Sequence, residues 1–176
     1  TFHWENIKTY GNWMTSLWEL YISDPSADRY AIFQDDMIAC KGLREYLDGS
    51  PYPGDGYLNL YTYSGNHKKV GNKPIGWHRS GQDGKGAVAL VFNNKAVVDL
   101  LSHPYMVRRL QNPERLWRFV DGAIVECFNR KMNKSEFVHN PTLVQHIGDK
   151  SSMGNGHQGS SPSWAGEEFN AMELAK

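Results

Sequence analysis

The stretch Tyr30-Ala31-Ile32-Phe33-Gln34-Asp35-Asp36 carries more information than any other in this chain. Four apolar residues bounded by polar ones read as a short buried strand. Two adjacent carboxylates follow where that strand ends, at the rim of a sheet, and open α/β folds bind ligands at such a rim. Hard carboxylate oxygens suit a divalent cation, which in turn can hold a diphosphate. The stretch therefore predicts a metal-dependent enzyme acting on a nucleotide-linked substrate. Asp36 would sit on a Mn2+ or Mg2+ ion and Asp35 would turn toward a ribose or an outer contact. Paired aspartates that merely cap the next turn are the plainer alternative.

Strands and helices alternate outward from this point, which predicts an α/β class. Upstream, Trp13, Met14, Leu17, Trp18, Leu20 and Tyr21 fall at helical spacing, and Asp24-Pro25-Ser26 ends that helix. Downstream, Lys41 to Leu47 reads as a short helix, and the cluster from Ser50 to Gly56 as a turn. Tyr57 to Tyr63 reads as a second strand. Ser64 to Gly86 is polar and glycine-rich, and reads as one long functional or mobile loop anchored by Val70, Ile75 and Trp77. Ala87 to Phe92 predicts a third buried strand, and Ala96, Val97, Leu100 and Leu101 a helix closed by His103-Pro104. A further helix is expected from Pro113, interrupted at Asp121-Gly122, with helical spacing resuming from Ala123 to Met132. Phe137-Val138 and Thr142 to Ile147 are extended candidates. After Gly148, glycine, serine and proline dominate as far as Pro162; residues 153–176 read as a flexible tail or lid, with Trp164 and Phe169 as anchors.

Composition narrows the function. With 176 residues the chain suits one domain, and 19 basic against 19 acidic residues argue against a general nucleic-acid binder. Aromatics at 12% suit a site that stacks on flat ligands such as sugars and bases. Cys40 and Cys127 lie far apart in apolar contexts and read as buried thiols, a usage that favours a cytoplasmic setting without excluding a lumenal one. No stretch approaches a membrane span. Thr1 is not a natural initiator, which fits a processed or excised piece.

His146 joins the acidic pair in the candidate site. It lies in Pro141-Thr142-Leu143-Val144-Gln145-His146-Ile147-Gly148, next to the glycine-rich tail, as a strand leading into a substrate lid would. Imidazole plus carboxylate, completed by phosphate oxygens and water, suits Mn2+ better than Ca2+. Lys150, Ser151 and Ser152 could then reach the diphosphate. A histidine with apolar neighbours is otherwise a core residue.

The order of an aspartate-rich triplet, a glycine-preceded strand, an acid opening a helix and a late histidine resembles the GT-A class of glycosyltransferases. The segment from Pro141 to Ser152 is similar to the equivalent segment of N-acetylglucosaminyltransferase IV and its relatives. The resemblance covers roughly residues 30–152 and implies a GT-A (Rossmann-like) catalytic domain over residues 1–152. It implies a nucleotide-diphospho-sugar donor, of the UDP type, and a carbohydrate or other hydroxyl acceptor. It also implies a Mn2+ held by Asp36 and His146, and inversion at the anomeric carbon. Gly84, Gly86 and Ala87 would face the donor sugar, and Asp121 would be the catalytic base. Two departures stand out. Gln34 replaces an acid, and the strands that bind the nucleotide base have no counterpart before Thr1, so the fold would be abbreviated or lack its amino-terminal part.

Each of these residues has a plainer role. Asp121 before Gly122 resembles a helix N-cap. Glu126 is the second candidate base, and His103 and His139 read as surface or capping residues. Trp77-His78-Arg79 could stack on a sugar and contact phosphate, or Trp77 could simply pin the loop. Lys68-Lys69 reads as a solvated pair. A non-catalytic carbohydrate- or nucleotide-binding module is the alternative from another class, and a metal-dependent phosphoesterase is a weaker one.

Overall fold

The computed structural model describes residues 8–112, 120–147 and 160–175. Helix α1 (Lys8–Ser23) leads to strands β1 (Arg29–Phe33) and β2 (Met37–Ala39), helix α2 (Leu43–Gly49), strand β3 (Gly56–Asn59), helix α3 (Ser64–Val70) and strand β4 (Gly76–Arg79). Strand β5 (Ala89–Asn93), helices α4 (Asn94–Ser102), α5 (Pro104–Leu110) and α6 (Val120–Val125), and strands β6 (Ser135–Asn140) and β7 (Val144–His146) follow. A π-helical turn, Glu126–Lys131, continues α6, and a 3-10 turn, Ala171–Ala175, ends the described chain.

Five strands form one mixed sheet in the order β1-β5-β3-β6-β4, and β2 pairs with β7 in a separate antiparallel ribbon. Only β3 and β6 run side by side in parallel; the other pairs are antiparallel. Strands β1, β3 and β6 therefore point the same way, and the start of β5 lies beside the end of β1.

Strands β5 and β3 are largely apolar on both faces, as a sheet covered on two sides requires. Tyr57, Leu90 and Phe92 face a core built with Tyr10, Trp13, Met14 and Leu17 of α1, Val97 and Leu100 of α4, and Ile124 and Phe128. Leu58, Ala89 and Val91 face a second core with Leu43, Tyr46 and Leu47 of α2, Leu143 and Val144. The tail residues Trp164 and Phe169 anchor on this second core, Ala171 is buried in it, and Asn170 bridges to Lys41. Residues 160–175 thus belong to the packed body. Both cysteines are buried thiols, and burial pushes the Cys127 thiol up to about 12.

Four expectations change. The strand at Tyr30 is present but is an edge strand: only Tyr30 is buried and Phe33 is exposed, since β1 has a partner on one side only. The second strand stops at Asn59: the Leu60 amide still donates to the Ala89 carbonyl at 2.9 Å, but the Leu60 carbonyl turns to the Leu143 amide at 3.1 Å, and the chain stays buried. The span from Ser64 to Gly86 is no structureless loop. It contains α3, held by buried Asn66 and Val70, and β4, held by pairing with β6. Asp121-Gly122 does not interrupt a helix but lies within α6. The helix expected from Pro113 falls outside the described residues up to Val120.

His139 corrects a fifth reading. It is fully buried, not at the surface. Its Nδ1 lies 2.6 Å from the Pro141 carbonyl, which can only accept, so Nδ1 carries the proton. Its Nε2 is left to accept from the Tyr46 hydroxyl at 2.7 Å, and Trp77 meets the ring edge-on. Burial pulls the imidazole down from its ordinary value to about 4. The unfolded chain thus takes up a proton that the native protein refuses, and stability falls as pH drops from about 6.5 to about 4. The expected loss is about 3 kcal/mol. Urea midpoints between pH 7 and pH 4 should show this acid slope in the wild type and a shallower one in His139→Gln.

Candidate functional site

Strand β1 ends at Phe33, and the Gln34 amide makes one further sheet bond, 2.8 Å to the Val88 carbonyl. Asp35 and Asp36, both good turn formers, then redirect the chain into β2. Strand β2 pairs with β7 so that Met37 lies opposite His146, and the Ile147 amide donates to the Asp36 carbonyl at 2.9 Å. This register sets His146 Nε2 at 2.8 Å from Asp36 Oδ2. The imidazole is 5% exposed and the carboxylate 39%, so the pair lies at a surface with its basic half sheltered.

Strand β7 is tied from behind. The Gln145 side-chain amide donates to the His146 carbonyl at 2.8 Å, and its oxygen accepts the Ser161 amide at 2.9 Å. The Thr142 hydroxyl accepts the Thr62 amide at 2.9 Å and lies 3.0 Å from the Val144 carbonyl, to which it can donate. These bonds join the end of β3, the start of β7 and the packed tail.

The pair stands at an ordinary charge-assisted hydrogen-bond distance, and imidazole and carboxylate are also groups that can ligate a divalent cation. Ligands at adjacent corners of an octahedron with bonds of about 2.1 Å stand about 3 Å apart, close to the observed separation. Asp36 Oδ1 and His146 Nδ1 are buried with no hydrogen-bond partner, so this corner holds more polar capacity than the described residues satisfy. Among the described residues, no group of three or more His, Cys, Asp or Glu gathers to hold a metal ion. A cation here would take two ligands from the described residues, with room for water or a substrate's phosphate oxygens.

A second cluster forms close by. Asp121 Oδ2 accepts the Gly86 amide at 2.9 Å and the Ala87 amide at 3.4 Å. Asp121 is therefore no N-cap; it lies inside α6 and grips a distant loop instead. Gly84 has φ +62°, and a Cβ there would stand 2.8 Å from Gly122 Cα and 3.2 Å from the Asp121 carbonyl oxygen. The loop backbone thus packs directly on the helix backbone. Because Gln34 pairs with Val88, the segment that holds Asp121 and the strand that leads to Asp36 are neighbours at one end of the sheet.

Other expected site residues fall elsewhere. Asp35 is exposed in the turn, and Lys150, Ser151 and Ser152 lie outside the described residues. Glu126 is paired with Arg130 at 2.9 Å and Lys131 at 3.5 Å. His103 caps α5, accepting the Tyr105 amide at 3.1 Å. Trp77 packs against the second core from β4, so it pins this segment. Lys69 faces Asp83 at 3.7 Å with both side chains well exposed. A cavity of about 600 Å3 lined by His103, Tyr105, Arg108 and Lys131 shares no residue with either cluster.

Sequence reasoning missed Glu136. It is 2% exposed at the start of β6, and accepts from Ser80 Oγ at 2.5 Å, Asn59 Nδ2 at 3.0 Å and Tyr57 Oη at 3.2 Å. Burial raises its carboxyl above the ordinary range, the three donors oppose that, and the charge of Asp121 adds to it. A charge set directly before Phe137-Val138 was the one available signal.

Compared with known proteins, the chain matches no family model and no curated protein. Among the described residues, no helix is long and apolar enough to cross a membrane.

Gly84→Ala tests the loop–helix packing. The substitution should destabilise by more than about 1 kcal/mol, because the new Cβ meets backbone and the φ is unfavourable. Thermal unfolding should show a drop of at least about 2 °C, while an alanine at Gly49, whose added Cβ would meet nothing within 4 Å, should be tolerated.

Proposed function

We propose that this chain is an inverting, metal-dependent glycosyltransferase of GT-A type, moving a sugar from a nucleotide diphosphate to an acceptor hydroxyl. The observation that carries the reading is the 2.8 Å contact between Asp36 and His146. The sequence alone had nominated these two side chains as partners, one after the first strand and one near the last. The mixed α/β sheet, with both clusters at one end, is compatible with it.

In this reading Asp36 and His146 hold a Mn2+ or Mg2+ ion. When bound, the ion supplies Lewis-acid neutralisation of charge on the departing diphosphate. The chain's own work is positional. The exposed Asp35 carboxylate would accept from a ribose hydroxyl. Gly84 seats the loop on α6, and Gly86 and Ala87 hold Asp121 through their amides, in the loop that the resemblance sets beside the donor sugar. Asp121 is oriented by the two amides on Oδ2, so that Oδ1 can take the proton of the acceptor hydroxyl. As that proton leaves, the acceptor oxygen bonds to the anomeric carbon from the face opposite the diphosphate. The carbon–oxygen bond to the diphosphate breaks, and the configuration inverts. A UDP-sugar, with N-acetylglucosamine as one candidate, is the donor that the resemblance favours.

The test is direct. Calorimetric titration with UDP-N-acetylglucosamine and UDP-glucose, with and without Mn2+, is combined with measurement of released UDP. Binding that needs Mn2+, with UDP released on adding a hydroxyl acceptor, is the expected result. Metal-independent binding without turnover would leave a carbohydrate- or nucleotide-binding module instead. Asp36→Ala and His146→Ala should each cut Mn2+-dependent turnover by about 100-fold or more with the far-UV spectrum retained. Asp121→Asn should keep donor affinity within a few-fold and lower transfer by about 10²–10⁴-fold.

A further inference from the structure

We propose that Glu136 is a positioning residue for Asp121. Through Ser80 and Gln82 it sets the loop Ser80–Ala87, whose last two amides hold the Asp121 carboxylate. The proposal rests on the reading of Asp121 as the base.

A buried carboxylate is costly, and an apolar side chain could fill the same space more cheaply. Here the carboxylate collects three donors from two segments: Tyr57 and Asn59 on β3 and Ser80 just after β4. The Ser80 bond is the one that reaches the loop. Ser80 Oγ in turn accepts the Gln82 amide at 2.9 Å and lies 3.0 Å from Gln82 Nε2. The Gln82 side chain then takes the place of a neighbouring strand for Glu136. Its oxygen accepts the Glu136 amide at 3.0 Å, and its nitrogen donates to the Glu136 carbonyl at 2.8 Å. Gln82 has φ +58°, an unfavourable conformation for a residue with a side chain, so these bonds hold the loop against local strain.

The rest of the loop is pinned in sequence. The Gly81 amide donates to Asn66 at 2.8 Å, and Asp83 accepts from the Tyr63 hydroxyl at 2.8 Å. Gly84 meets the backbone of α6, and Gly86 and Ala87 reach Asp121. One short segment is therefore anchored on a buried charge at one end and on the proposed base at the other. Glutamine at position 136 would put an amide donor among three donors and lose at least one bond.

Amide hydrogen exchange at Gly86 and Ala87 reads the loop without reference to catalysis. In Ser80→Ala and Glu136→Gln these two amides should exchange about tenfold faster, as expected for one lost hydrogen bond, while Leu90 and Val91 in β5 stay as in wild type. Transfer kcat should fall about tenfold or more in Ser80→Ala with donor KM within about twofold, and Ser80→Thr should restore both readouts. Should Glu136→Gln fail to fold, Ser80→Ala still decides the matter, since it leaves Glu136 its other two donors. Wild-type exchange at Gly86 and Ala87 in Ser80→Ala overturns the proposal. A wild-type protein that transfers no sugar, with the exchange difference present, overturns the base role of Asp121 and leaves the positioning link standing.

Discussion

The antiparallel register of two three-residue strands is the constraint on which the candidate site depends. Met37 lies opposite His146, and the next amide bonds the Asp36 carbonyl. Side chains alternate along a strand, so a slip of one residue would turn the imidazole to the other face and leave Asp36 alone. So short a ribbon would not hold its register unaided. It is fixed by Thr142, Gln145 and Ser161, whose hydrogen bonds tie β7 to the end of β3 and to the packed tail. The apolar contacts of Leu143 and Val144 in the second core add non-directional burial to that directional network.

The two faces of the main sheet carry different tasks. One face packs β7 and the tail, and so supports the Asp36–His146 pair. The other packs α1, α4 and α6, and so supports Asp121 and its loop. Between them, β3 and β5 are buried on both sides and provide a rigid floor. Polar groups inside this floor are satisfied and not simply avoided: Glu136, Asn59, Thr62 and His139 are all buried and all hydrogen-bonded. Their donors and acceptors select one arrangement of the loops, which apolar burial alone would leave loosely defined.

Much of the element order was legible in the chain. The spacing of Trp13, Met14 and Leu17 is helical and the helix is there; the apolar run of Ala87 to Phe92 gives a strand, buried on both faces, that begins at Ala89. The reading failed where local signal and tertiary context diverge. Ser64 to Val70 is too polar to show an apolar stripe, yet two buried anchors suffice to hold it as a helix. Strand β4 owes its existence to pairing with β6, which no local pattern encodes. Tyr30 to Phe33 looked fully buried because composition cannot distinguish a central strand from an edge. Glu136 was overlooked because a single glutamate in a strand looks like an outward-facing residue until its three donors are seen.

The amino-acid sequence by itself determined the α/β class and the burial of both cysteines and nominated Asp36 and His146, because these follow from local periodicity and residue chemistry; Asp121 was nominated by the GT-A resemblance. Only the tertiary structure decided that Asp36 and His146 touch, that Asp121 grips the Gly86–Ala87 backbone instead of capping a helix, and that a buried carboxylate anchors the same loop. These are relations between segments far apart along the chain, and they arise from strand register and backbone packing, which no window of sequence contains.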